Sequence, residues 1–295
     1  MASKIFYIVD VFAESKYTGN QLAVFTNAEE ISPEEMQQIA KEINYSETTF
    51  ITSPELVQGG YNVQIFTPVR ELPFAGHPTL GTAFILQEQI IKQEIDRIVL
   101  NLKIGQIPVT LDYMNKVVEC LWMKQQTPKF HSEFSREDIA AVLGLEAKEI
   151  DGRFPIQEVC TGIPFVIVPL NNLSSLKSIK IDKEKYYKFI EKTLAKCILA
   201  FCPEAEHLEN NLHVRVFCEY LGIPEDPATG SANGCLAGYL IKHLYFGDDK
   251  INLRVEQGYE MGRPSLLLLR GETRDGEIEV HVGGKVILVA KGELF

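Results

Sequence analysis

The sequence predicts an α+β protein with two similar domains, in each of which a curved sheet encloses one helix. Short strand-like alternations dominate the chain, and one of them, NVQIFTP at 62–68, recurs as HVRVFCE at 213–219. Each copy is followed by a short loop and a helix that opens on glycine, GHPTLGTAFIL from Gly76 and GSANGCLAGYL from Gly230. The repeated strand, loop and helix indicate that one structural unit occurs twice.

Both glycine-opened helices carry small or apolar residues on nearly every face for about three turns. This pattern is typical of a helix that is buried all round. In a chain rich in short strands, a curved sheet is expected to enclose such a helix. A chance similarity between two strand–turn–helix units remains the alternative if the repeat is considered alone.

The remaining elements follow from local signals. Ser32 before Pro33, with Glu35 three residues after the serine, predicts the start of a helix over 32–43. Strands are expected at 4–12, 22–25, 48–51, 165–168, 198–202, 214–217, 277–282 and 286–290, and further helices near 136–143 and at 183–195. The expected domains are 1–120 and 121–295, with the option that a final strand near 285–295 returns to the first.

Composition and charge exclude several classes of protein. The chain has 295 residues, of which 45% are apolar and 23% charged, which is typical of a globular protein and not of a disordered or fibrous one. A net charge of -11 repels phosphate backbones and anionic lipid, so neither nucleic acid nor a membrane is an expected partner. The apolar run KIFYIVDVF is too short for a signal peptide, and a cytoplasmic location is expected.

The six cysteines form no CxxC pair and no His/Cys cluster at zinc spacing, so reduced thiols and no metal site are expected. The sequence also lacks GxGxxG, GxxxxGK[ST], GxSxG and HExxH, which are typical of dinucleotide, P-loop, serine-hydrolase and zincin sites. Acid–base chemistry without a cofactor is the class of reaction that remains.

The two helix starts, Gly76-His77 and Gly230-Ser231, are candidate sites for a small anion. A helix N-terminus leaves backbone N–H groups unpaired and carries about half a positive charge, which favours a carboxylate or a phosphate. Ordinary capping is the alternative, with Ser231 as an N-cap and Pro78 as a first-turn proline.

Three ionisable residues lie in the same segments and are candidates for proton transfer. Asp226 precedes the second helix, His77 stands at the start of the first, and Glu47 enters a run of β-branched and aromatic residues. A carboxylate in a water-poor site can act as general base or acid. Taken singly, Asp226 could start a turn, His77 could be a structural histidine and Glu47 a solvated strand residue.

Four segments together resemble the PhzF-like proteins of the phenazine-biosynthesis type, which share the diaminopimelate epimerase fold. They are YTGNQLAVF (17–25), NYSETTFI (44–51), FTPVRELPFAGHPTLGTA (66–83) and EDPATGSANGCLAGYL (225–240). The resemblance implies two pseudo-symmetric domains, each a barrel-like mixed sheet around a central helix, with the active site between them, and a homodimer.

The resemblance also implies residue roles. Glu47 corresponds to the catalytic acid/base, which takes a proton from one carbon of the substrate and returns it at another. Asp226 and His77 correspond to polar partners that orient the substrate, and the amides of Gly76, His77, Gly230 and Ser231 to the groups that bind its carboxylate.

One departure disfavours a two-thiol racemase mechanism. The epimerases of this fold place a cysteine immediately before each helix-opening glycine, and here those positions are Ala75 and Thr229. Cys235, further along the second helix, is interpreted as a core residue.

The sequence thus indicates a cytoplasmic, cofactor-independent isomerase of a biosynthetic process, acting on a small carboxylate that is cyclic or amino-acid-like. Two alternatives stay open. One is an amino-acid epimerase or racemase that uses Glu47 opposite Asp226 or His77, and the other is a small-molecule binding protein that has lost turnover.

Overall fold

A computed structural model describes residues 4–295 of the chain. The chain divides into two compact units: unit 1 is the described part of Met1–Met123 together with Gly283–Phe295, and unit 2 is Lys124–Val282. The expected domains were 1–120 and 121–295, with the option that a strand near 285–295 belongs to the first; in this division residues 283–295 belong to unit 1.

The elements are short strands and six α-helices within the described range. The strands are β1 (Lys4–Val11), β2 (Asn20–Phe25), β3 (Glu47–Ile51), β4 (Tyr61–Phe66), β5 (Glu71–Leu72), β6 (Arg97–Leu102), β7 (Gly105–Met114), β8 (Val117–Lys124), β9 (Lys129–Phe134), β10 (Ile156–Cys160), β11 (Pro164–Pro169), β12 (Cys197–Cys202), β13 (Leu212–Cys218), β14 (Ile223–Asp226), β15 (Lys250–Gln257), β16 (Ser265–Arg274), β17 (Glu277–Gly284) and β18 (Val286–Leu294). The helices are α1 (Pro33–Ile43), α2 (Gly76–Ile85), α3 (Arg136–Leu143), α4 (Leu173–Ser178), α5 (Lys183–Ile190) and α6 (Gly230–Lys242).

Unit 1 is a mixed sheet around α2. The antiparallel pairs are β18 with β1, β1 with β2, β3 with β4, β4 with β5, β6 with β7 and β7 with β8, whereas β2 pairs with β3 and β4 with β6 in parallel. Strands β1, β2, β3, β6, β7 and β18 all contact α2. The helix predicted to be buried all round is therefore the centre of the unit.

Unit 2 repeats this order of pairing around α6. Antiparallel pairs join β9 with β10, β10 with β11, β12 with β13, β13 with β14 and β15 with β16, and parallel pairs join β11 with β12 and β13 with β15. Strands β10, β11, β15 and β16 contact α6. The repeat found in the sequence thus corresponds to two α+β units with one topology.

Strands β2 and β3 of unit 1 are buried on both faces along most of their length. On β2, Leu22 faces α2, where a Cβ added at Gly81 would lie 2.6 Å from its Cδ2 atom. Phe25, on the other face, stacks on Phe50 with ring centroids 5.0 Å apart, and both pack with Met36 of α1. Glycine at position 81 therefore allows α2 to lie directly on the sheet.

Three helix predictions can be compared with the structure. Helix α3 begins and ends where the sequence predicted, and Ser32 accepts the Glu35 N–H at the start of α1. The predicted helix 183–195 is too long, because α5 ends at Ile190. The chain leaves the helix there, and the N–H of Ala195 donates to the buried carboxylate of Glu158 at 2.9 Å.

Candidate active site

Glu47 and His77 lie together in unit 1. Glu47 opens β3, directly opposite Leu22 of β2, and His77 lies in the first turn of α2. Their side chains are 13% and 8% exposed, and 3.5 Å separates Glu47 Oε2 from His77 Nε2. A nearly dry carboxylate therefore faces an imidazole at a distance slightly longer than a hydrogen bond.

His77 is neutral in the folded protein. Burial lowers the pKa of His77 to about 3, against a smaller upward effect from a hydrogen bond to the Gln21 backbone. Nε2 has no hydrogen-bond partner among the described residues, so the hydrogen bond to Gln21 is assigned to Nδ1. A backbone group that raises a histidine pKa accepts a hydrogen bond from the ring. Nδ1 is therefore assigned the hydrogen, and Nε2 presents a lone pair to Glu47. The contact between Glu47 and His77 is consequently not an ion pair.

The start of α2 has no side-chain cap. Ala75 is the N-cap residue, in extended conformation, and its side chain cannot accept a hydrogen bond. The hydroxyl of Thr82, about two turns further on, donates to Thr49 Oγ1 of β3 at 2.8 Å, which links the helix to the strand that carries Glu47. No N-cap side chain therefore bonds to the first-turn amides of α2.

Asp226, Gly230 and Ser231 lie together in unit 2. Asp226 ends β14 and is 9% exposed, and α6 begins four residues later at Gly230. The N-cap of α6 is Thr229, not Ser231, so the capping alternative proposed for Ser231 is wrong: that serine already lies inside the first turn. Thr229 makes no side-chain cap, because its hydroxyl donates to Asp226 Oδ2.

Gln257 is a buried polar residue that the sequence analysis missed. It ends β15, is fully buried and hydrogen bonds to Asp226, Thr229 and Asn233. A glutamine in a strand of mostly buried residues was a signal that it needs buried hydrogen-bond partners. The sequence does not identify these partners, because they lie about 25 to 30 residues away. Only the tertiary structure shows that it organises the loop before α6.

The positions before the two glycines carry no thiol. Ala75 and Thr229 are the N-cap residues of α2 and α6, as their spacing in sequence requires. Cys235 is fully buried in α6 beside Thr161, with Sγ and Oγ1 3.4 Å apart, and burial raises the pKa of its thiol to about 12. It is a protonated core residue at neutral pH.

Within residues 4–295 no cluster of three or more His, Cys, Asp or Glu side chains has the arrangement of a metal site. None of the helices in this range is long and apolar enough to cross a membrane.

Comparison with known proteins agrees with this fold. The PhzC–PhzF family, described as phenazine biosynthesis-like protein, matches residues 9–292. The trans-2,3-dihydro-3-hydroxyanthranilate isomerase of Pseudomonas aeruginosa is 35% identical over 295 residues, which cover 98% of this chain and 99% of that protein. The crystal structure of a PhzF-family phenazine biosynthesis protein from Bacillus anthracis has a TM-score of 0.91 at 27% identity and covers 100% of both chains.

A probable proline racemase from Agrobacterium radiobacter shares the fold at a TM-score of 0.64 and 10% identity. Fold and relatives together place the protein among the isomerases with a mixed sheet and a central helix in each unit. The chain belongs to the PhzC–PhzF family of phenazine biosynthesis-like proteins.

Proposed function

We propose that this isomerase moves a proton between two carbons of a small cyclic or amino-acid-like carboxylate, and that Glu47 transfers the proton. The observation that carries the proposal is the buried pair of Glu47 and neutral His77, with Oε2 and Nε2 3.5 Å apart. When the Glu47 carboxylate takes up a proton, it becomes a neutral carboxylic acid beside a neutral imidazole, so no buried positive charge forms. Glu47 can then act first as a base and later as an acid.

In the proposed reaction, the Glu47 carboxylate takes a proton from one substrate carbon and leaves an electron pair delocalised toward the neighbouring double bond. The new carboxylic O–H faces the lone pair of His77 Nε2. Glu47 then returns the same proton to a second carbon, so the product has the formula of the substrate and a shifted double bond. No oxidant, reductant or added group enters this balance.

The substrate carboxylate is proposed to bind the amides that open α2 and α6, at Gly76-His77 and Gly230-Ser231. Neither N-cap residue occupies these amides with its side chain. Asp226 is proposed to bind the substrate's amine or hydroxyl hydrogen. That all these groups serve one substrate is implied by the family resemblance.

The proposed substrate class is supported by the name of the relative in P. aeruginosa, which describes a ring that carries a carboxylate, an amine and a hydroxyl. We propose a compound of this class for the present chain. A two-thiol epimerase mechanism has no support, because Ala75 and Thr229 stand where the thiols would be.

The test compares Glu47→Gln with Glu158→Gln, using trans-2,3-dihydro-3-hydroxyanthranilate and a panel of alicyclic amino acids. Glu158 is a matched buried carboxylate in unit 2, which accepts a hydrogen bond from Ala195 N–H. We expect turnover to fall by about 10²- to 10⁴-fold in Glu47→Gln, with little change in substrate affinity, and to persist in Glu158→Gln. Near wild-type turnover in a folded Glu47→Gln protein would remove Glu47 from the mechanism.

Turnover in heavy water separates the alternatives. Deuterium at a carbon other than the one deprotonated, with a changed ultraviolet spectrum, supports the isomerase. Label at the same stereocentre with an unchanged spectrum indicates an epimerase, and a bound ligand with neither label nor product indicates a binding protein. The homodimer and the cytoplasmic location remain predictions, for which light scattering and cell fractionation are the measurements.

A further inference from the structure

The carboxamide of Gln257 contacts the loop before α6 on two sides. Nε2 donates to the backbone carbonyl of Asp226 at 2.8 Å and to Thr229 Oγ1 at 3.0 Å. Oε1 accepts from the Thr229 N–H at 3.2 Å and from Asn233 Nδ2 at 2.9 Å. All four bonds are buried or nearly so, and Gln257 itself is 0% exposed.

The backbone determines which way this amide points. The Asp226 carbonyl can only accept a hydrogen bond and the Thr229 N–H can only donate one, so the amide nitrogen must face the first and the oxygen the second. The nitrogen then also faces the hydroxyl of Thr229. Because that hydroxyl receives a hydrogen bond from Gln257, its own single hydrogen points away, and it is donated to Asp226 Oδ2.

We propose that Gln257 is a positioning residue for Asp226: it fixes the direction of the Thr229 hydroxyl and thereby favours the ionised form of the Asp226 carboxyl. A carboxylate that accepts a hydrogen bond is stabilised relative to the acid. The relevance of this to turnover rests on the proposed function of Asp226, but the chain of hydrogen bonds does not.

Five charged or titratable groups near this loop are paired with one another. Arg215 of β13 makes a two-pronged contact with Glu225, 2.8 Å for each nitrogen, and lies 4.0 Å from Glu260. His213 of the same strand contacts Glu256 at 2.9 Å and Glu260 at 3.3 Å. Neutral substitutions at positions 257 and 229 leave all these charges in place, so a change in the Asp226 pKa in these variants does not come from the loss of one of them.

The experiment measures the apparent pKa of Asp226 by ¹³C NMR of carboxyl-labelled aspartate, with its signal assigned by its loss in Asp226→Asn. The variants are Gln257→Met, Thr229→Val and the double variant. Thr229→Ser keeps the hydroxyl, and Tyr239→Phe removes a different buried hydroxyl of α6, which donates to Pro155 O at 2.6 Å. Circular dichroism and amide spectra identify the folded variants.

We expect Thr229→Val to raise the Asp226 pKa by roughly one unit, as loss of a charge-assisted hydrogen bond requires. Gln257→Met is expected to raise it in the wild-type background and to add nothing in the Thr229→Val background. Thr229→Ser and Tyr239→Phe should leave it unchanged. An unchanged Asp226 pKa in Gln257→Met, or equal increments in both backgrounds, would overturn the proposal.

If Gln257→Met does not fold, Gln257→Glu replaces it in both backgrounds. The added negative charge raises the Asp226 pKa both in the wild-type background and in the Thr229→Val background. The increase in the wild-type background minus the increase in the Thr229→Val background measures the positioning effect. Identical increases would again overturn the proposal. Because the titration needs no substrate, it distinguishes a failure of this inference from a failure of the proposed isomerisation.

Discussion

Replacing His77 with asparagine should make the protein less sensitive to acid. The wild-type imidazole is buried, and its pKa is lowered to about 3, whereas a histidine in an unfolded chain titrates near 6.5. Between these two values the unfolded chain binds a proton that the folded chain does not. The free energy of unfolding therefore falls as the pH decreases below about 6.5.

The magnitude follows from the two pKa values. One pH unit within this window changes the free energy of unfolding by about 1.4 kcal/mol for one proton. At pH 4.5, about two units below the histidine pKa of the unfolded chain, His77 thus lowers the free energy of unfolding by about 2.7 kcal/mol relative to neutral pH. His77→Asn keeps an amide that can donate to the Gln21 backbone and removes the titrating group.

The assay is urea unfolding of both proteins at pH 7.5 and 4.5. Trp122, the single tryptophan of the sequence, is 4% exposed in β8, so its fluorescence reports on the unit that contains His77. We expect the stability difference between the proteins to move by about 2 to 3 kcal/mol in favour of His77→Asn on acidification. A pH-independent difference, or a His77 ring signal that titrates near pH 6.5 in NMR spectra, would refute the reasoning.

Two further predictions concern packing and buried charge. Gly81→Val should lower the unfolding free energy of unit 1 by about 1 to 3 kcal/mol, because the added Cβ alone would lie 2.6 Å from Leu22 Cδ2. An unchanged unfolding curve, monitored by tryptophan fluorescence, would contradict this. Arg215→Met should cost about 3 to 5 kcal/mol, since it leaves the carboxylate of Glu225 without its buried partner. Lys148→Met, which removes a surface ion pair whose side chains are 76% and 71% exposed, should leave the unfolding free energy nearly unchanged. Similar losses in these two variants, measured by chemical unfolding, would contradict the second prediction.

Local signals in the sequence were sufficient for several elements. A helix was predicted near 136–143, and α3 has these limits: Ser135 accepts from Asp138 N–H at its start, and Gly144 adopts a left-handed conformation after its end. The apolar surface of the two glycine-opened helices correctly predicted that each is enclosed by a sheet. These features depend on residues within a turn of one another, or on the periodicity of one helix.

Features that depend on distant partners could not be predicted in this way. Residues 191–195 were expected in a helix but lie beyond the end of α5, where Ala195 N–H donates to the carboxylate of Glu158, 37 residues away. The contact of Gln257 with the loop before α6 joins residues about 30 positions apart. The proximity of Glu47 and His77 needed the parallel pairing of β2 with β3, which no local signal specifies.

The pairing of β18 with β1 has a consequence for the order in which the chain can fold during synthesis. Lys4 lies opposite Leu294, so the sheet of unit 1 lacks its β18 edge until nearly 290 further residues have left the ribosome. Unit 2 is one continuous segment and can fold before β1 has paired with β18. Once folded, it shortens the effective loop between β1 and β18 that must close. Truncation near the carboxyl end would accordingly damage the amino-terminal half of the molecule first and leave the middle of the chain intact.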